Sequence, residues 1–79
     1  MTPRLFAKTA VESSKLSQKR LADKMGLKAQ QGVFNMLNAK NGMRVDNFVK
    51  MMNALGYDVI VRERVTEEDT VLVAETQED

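Results

Sequence analysis

Seventy-nine residues make room for one small domain, and an apolar fraction of 43% with only 5% aromatic means that its core is built from aliphatic side chains and methionine. With no cysteine and no histidine, the chain has no disulfide framework, thiolate nucleophile, imidazole base or zinc site of the usual kinds, so the expectation is a protein that is not an enzyme and holds no metal or cofactor. The net charge of +1 hides a division: residues 1–56 carry ten cations against three anions, whereas residues 57–79 carry two cations against eight anions, which predicts a polyanion-binding unit joined to an element that does not bind it.

In chain order, Thr2 and Pro3 open a first helix, because threonine caps free N–H groups and proline fits the first turn. Leu5, Phe6, Ala10 and Val11 give it an apolar side, and it ends near Ser13, Ser14 and Lys15. Ser17 caps a second helix over 18–25, with Leu16 and Leu21 spaced as a hydrophobic staple and Gly26 supplying the left-handed stop. Val33, Met36 and Leu37 recur at i, i+3, i+4 and mark a third helix over 31–38, whose solvent side carries the amides Gln30, Gln31, Asn35 and Asn38. Gly32 weakens its first turn. Residues 39–43, containing Asn41 and Gly42, form a loop, and Val45, Phe48, Val49, Met52 and Leu55 then mark a fourth amphipathic helix closed by Gly56.

Beyond Gly56 the period changes from 3.6 to 2. Tyr57, Val59 and Val61 alternate with Asp58, Ile60 and Arg62, and a second β-prone run over 70–74 follows the polar cluster 66–69. The expectation is a β-hairpin with a frayed acidic end. Its strand edge, or an apolar face made by Tyr57, Val59, Val61, Val71 and Val73, would join two copies across a two-fold axis. A dimer also suits a chain this short, which buries only roughly 60% of its unfolded surface. The division is therefore residues 1–56 as a helical domain and 57–79 as a hairpin with an acidic tail.

Helix two, the Gly26 turn and helix three make a short helix pair that presents helix three as a ridge, a geometry that enters a DNA major groove. The stretch LSQKRLADKMGLKAQQGVFNML, followed by RVDNFVKMMNALGYDVIV, resembles the helix-turn-helix domain of phage-repressor-like regulators of the Cro and XRE type over roughly residues 6–56. The resemblance implies a mainly α, four- to five-helix repressor-like bundle, here followed by the C-terminal β-hairpin. It further implies that helix three reads bases while the starts of helices two and four touch phosphates. Base reading falls on Gln30, Gln31 and Asn35, whose amide types can bond adenine N6 and N7 together. Phosphate contacts fall on Gln18, Lys19, Lys28, Asn38, Lys40 and Arg44. The sequence departs from the family where Lys28 and Ala29 replace a serine or threonine cap, and where Val33 and Met36 arrive one residue late after Gly26.

The implied function is a sequence-specific, dimeric transcriptional regulator on double-stranded DNA. The alternative is an antitoxin-like or anti-repressor-like module on the same fold, holding a protein partner encoded nearby. Simpler readings stand beside these. The amide cluster also suits a solvated helix face, and Met25, Met36, Met43, Met51 and Met52 read as core filler more readily than as a groove. Glu67, Glu68 and Asp69 read as a soluble turn, and Ser13, Ser14 and Ser17 have no base to activate them. The start Met-Thr-Pro-Arg-Leu-Phe lacks a secretory h-region and no apolar run approaches ~20 residues, so a cytoplasmic protein with no membrane partner is expected.

Overall fold

A computed structural model describes residues 1–40 and 42–74. Four helices, α1 (Pro3–Ser14), α2 (Gln18–Met25), α3 (Gln31–Leu37) and α4 (Val45–Ala54), precede a two-stranded antiparallel hairpin of β1 (Val59–Arg62) and β2 (Asp69–Leu72). The expected position of Asn41 in the interhelical loop and of the acidic end at 75–79 lie outside the described residues.

The helix boundaries follow from local chemistry. Thr2 has extended backbone and its hydroxyl accepts from the Leu5 amide at 3.2 Å, with Pro3 in the first turn. Ser17 does the same for α2, accepting from the Arg20 amide at 3.1 Å. Gly26, at φ 79°, ends α2 in a Schellman motif: the Gly26 amide donates to Asp23 and the Leu27 amide to Ala22. Gly56, at φ 96°, ends α4 in the same way, its amide donating to Asn53 and that of Tyr57 to Met52. The stop after α1 is less favourable, because Lys15 adopts the left-handed conformation at φ 66° without glycine's freedom.

All four helices contribute to one core. Ala7, Ala10 and Val11 of α1, Leu21, Ala22 and Met25 of α2, Val33 and Leu37 of α3 and Val49, Met51 and Met52 of α4 are buried. Met36 and Met43 are half-buried against the same cluster, so five of the methionines serve the irregular interior for which unbranched thioethers are suited. Every buried side chain among the described residues lies in this helical body.

The hairpin departs from the sequence expectation in three ways. β1 starts at Val59 rather than Tyr57, because the Tyr57 amide is taken by Met52 and its carbonyl accepts from Asn53 Nδ2 at 2.9 Å. β2 spans Asp69–Leu72 rather than 70–74, because Asp69 pairs with Arg62 across the strands, its carboxylate accepting from Nε at 2.8 Å and from Nη2 at 3.1 Å. The turn accordingly sits at 63–68, and Asp69 belongs to a strand.

The third departure concerns the expected apolar face of Tyr57, Val59, Val61, Val71 and Val73. The register pairs Val59 with Leu72 and Ile60 with Val71. Directly paired side chains share a face and successive ones alternate, so Val59 and Val61 lie on one side of the hairpin while Val71 lies on the other with Ile60. Val59 is half-buried against the helical core. Tyr57 precedes the strand and packs edge-on against Phe6 of α1, with ring centroids 5.6 Å apart. The five residues therefore do not make one surface, and the outward face contains Ile60 and Val71.

Candidate nucleic-acid interface

The α2–α3 connection covers residues 26–30 and accounts for Gly32 and for the uncapped start of α3. Leu27, the residue after the Schellman glycine, folds back half-buried against the core. A Cβ at Gly32 would lie 3.2 Å from Leu27 Cδ1, so glycine in the first turn of α3 gives that leucine its room. Gln30 precedes α3 with helical backbone angles and no side-chain cap, as the missing serine or threonine foreshadowed. The first turn is tight, with the Gly32 amide donating to Ala29 and that of Val33 to Gln30.

Successive residues of α3 turn by about 100°, and the two sides of the helix separate accordingly. Val33 and Leu37 are buried against α2 and α1, while Gln30, Gln31, Phe34, Asn35 and Asn38 share an exposed arc. Gln31 Nε2 donates to Asn35 Oδ1 at 3.2 Å, which ties the two amides together one turn apart. Gln31 Oε1 and Asn35 Nδ2 remain available, an acceptor and a donor. Asn38 behaves differently: its backbone amide and its Nδ2 both donate to the Phe34 carbonyl, at 3.1 and 2.9 Å, so its side chain caps the end of α3.

Of the expected phosphate ligands, Lys28, Lys40 and Arg44 sit on the segments that join α3 to its neighbours. Lys28 is exposed in the turn before α3, and Lys40 is exposed after it. Arg44 is the exposed residue preceding α4. Lys19 is exposed in the first turn of α2 and Gln18 beside it is half-buried. Arg44 lines one shallow depression together with Asn35, Met43 and Asn47, so the start of α4 is brought alongside the amide ridge. Among the described residues the ion pair is Arg62 with Asp69, in the hairpin, and no cation of the helical body has a carboxylate within salt-bridge distance. An unpaired cation keeps its charge available to an external anion.

Three residues of this surface were not singled out from the sequence. Phe34 is 50% exposed in the middle of the ridge, and the spacing of Gln30, Gln31 and Asn38 placed it there. Asn47 follows from its position in the first turn of α4. Arg4 had no sequence signal: its guanidinium donates to the Ala39 carbonyl and pins the segment after α3 to α1.

The chain has no significant match among protein-family models, curated proteins or solved structures. The reading of this surface therefore rests on its own geometry and charge. No helix among the described residues is long and apolar enough to cross a membrane.

Proposed function

We propose that the protein is a cytoplasmic, sequence-specific transcriptional regulator that binds double-stranded DNA as a homodimer through a phage-repressor-like helix-turn-helix. α3 enters the major groove, Gln30, Gln31 and Asn35 contact base edges, and Gln18, Lys19, Lys28, Lys40 and Arg44 contact phosphates. The observation that carries this reading is the exposed amide ridge of α3, flanked by cations that have no carboxylate partner within the helical body. Glutamine and asparagine offer a donor and an acceptor side by side, the pattern that adenine presents in the major groove. Asn38 contacts phosphate as well, through the second N–H of the Nδ2 group whose first serves the Phe34 carbonyl.

Each protomer would displace counterions from several phosphates, so affinity falls steeply with salt, with a logarithmic slope of roughly −0.9 per phosphate neutralised. Two recognition helices one DNA turn apart, about 34–36 Å, call for a near-palindromic site. The test is selection from a random duplex library by the full-length chain, followed by titration of enriched and scrambled duplexes at rising salt. Enrichment of a two-fold symmetric sequence is expected, and equal affinity for enriched and scrambled duplexes at every salt concentration overturns the reading.

A second reading is favoured by the hairpin, where Ile60, Val61, Val65 and Val71 stay exposed. An antitoxin-like or anti-repressor-like protein would use that surface to hold a co-encoded partner. Activity in the cell that survives Gln31→Ala and Asn35→Ala together, but not loss of the partner, supports this reading over the first.

A further inference from the structure

Phe34 stands half exposed on the outer side of α3 and takes part in no aromatic pair among the described residues. It is the one large apolar side chain of α3 left exposed; Val33 and Leu37 beside it are buried and Met36 is half-buried. Its backbone is held from the C-terminal side, because the Phe34 carbonyl accepts from both the amide and Nδ2 of Asn38. On one side of the ring stands the linked pair Gln31 and Asn35, and on the other Gln30. The ridge is thus an apolar plate with hydrogen-bonding amides around it.

An A·T pair offers the matching pattern in the major groove: adenine presents a donor and an acceptor, and thymine presents a methyl group on the same groove edge. Cytosine lacks that methyl. Resting on the DNA-binding reading above, we propose that Phe34 is a specificity-determining residue that packs against a thymine methyl group, so that the ridge selects A·T pairs through both strands. The charge around the ridge suits this occupant, since Lys28, Lys40 and Arg44 are exposed on the segments flanking α3 and none is paired with a carboxylate among the described residues.

Deoxyuridine tests the proposal with the unaltered protein, because it keeps every hydrogen-bonding group of thymidine and removes only the methyl. Duplexes enriched from a random library by the full-length chain are resynthesised with each thymine replaced singly by uracil, and affinities are read by fluorescence anisotropy. At one position in each half-site the replacement is expected to weaken binding about three- to fivefold, the size of one methyl taken out of water. Phe34→Ala is expected to weaken binding to the thymine duplex about tenfold and to bind the thymine and uracil duplexes equally, with the thermal midpoint of the free protein retained. Tolerance of uracil at every position overturns the Phe34 assignment and leaves the DNA reading intact. A uracil penalty that persists in Phe34→Ala assigns the methyl contact to another residue and also overturns it. Enrichment of no duplex at all removes the DNA reading itself, and the assignment with it.

Discussion

The helical body and the hairpin differ in how far they bury their apolar side chains. In the body most are buried: Leu21, Val33 and Met51 are completely inaccessible, every buried residue described lies between Ala7 and Met52, and Leu5, Phe34 and Val45 are the chief exceptions within its helices. In the hairpin more of them stay accessible: Ile60 and Val71 on one face and Val61 on the other are each about half exposed, and Val65 at the turn is 87% exposed. A lone two-stranded hairpin is marginal in water. Here it is anchored by Val59 against the core and by the Phe6–Tyr57 ring contact, with Leu72 half-buried beside Val59 and Ile60, Val61, Val65, Val71 and Val73 exposed. The buried core thus belongs to the helices, and the hairpin joins it through Val59 and Tyr57. The charge division runs along the same boundary, with an excess of cations in the helical part and of anions in the other.

The contrast breaks most sharply at Leu21, which is fully buried in α2, between α3 and α4. Leu21→Ala should lower unfolding free energy by about 2–5 kcal/mol, a large share of what a domain this size holds, as read from urea denaturation. A loss under about 1 kcal/mol would mean that this packing is not what holds the body together. The corresponding test on the hairpin is Ile60→Lys with Val71→Lys, a directly paired position on the outward face. It should move the protein from dimer to monomer in sedimentation and weaken binding to a selected duplex at least tenfold, while body stability changes by no more than about 0.5 kcal/mol. A dimer that persists in this variant locates the interface elsewhere. A collapse of stability like that of Leu21→Ala would erase the distinction between the two regions.

The body was legible in the sequence because its signals are local. A cap such as Ser17, a stop such as Gly26 and the i, i+3, i+4 spacing of Val33, Met36 and Leu37 each act within a turn or two of chain, and α2 came out with the boundaries expected for it. The hairpin was less legible because its register depends on pairs far apart in sequence. The alternation of Val59 and Val61 gave the strand, but only the Arg62–Asp69 pairing decides that β2 starts at Asp69, and that pairing puts Val71 on the opposite face from Val61. The ridge was legible as an amide surface, whereas Phe34 was hidden by its type. A phenylalanine beside Val33 reads as core, and its outward position emerges only when the helical angle is followed residue by residue.

Smaller effects sharpen the comparison at the two backbone positions among the described residues where a side chain occupies the left-handed region, one in each part. Lys15→Gly at the end of α1 should stabilise the body by about 1 kcal/mol, because the residue already sits at φ 66° where a Cβ is disfavoured. That corresponds to a rise of about 4–8 °C in thermal midpoint. An unchanged or lower midpoint would show that lysine's stem contributes packing that offsets the strain. The equivalent position in the hairpin is Glu67, at φ 61° in the turn, and Glu67→Gly should increase amide protection across β1 and β2 without moving the midpoint of the body. Equal protection in the variant and the parent would assign the turn's stability to its hydrogen bonds rather than to backbone conformation.

The smallest expected effect is a pH response confined to that same turn. The Glu63 carboxylate accepts from the Thr66 amide at 2.7 Å and the Val65 amide at 3.0 Å. The Thr66 bond is the main reason that its pKa lies below the ordinary glutamate value, ahead of the bond from Val65. Since both bonds favour the ionised carboxylate, their contribution is fully present above the unfolded-state pKa and is lost as pH falls through the lowered folded-state pKa. Hairpin amides should therefore lose protection at a lower pH than that at which free glutamates titrate, and Glu63→Gln should abolish that step. Val65 and Thr66 amide resonances that titrate at the ordinary glutamate pKa would rule out the carboxylate as the clasp of the turn. If the step appears in the hairpin alone, with the body's amides unmoved across it, the two regions respond independently to acid as well as to mutation.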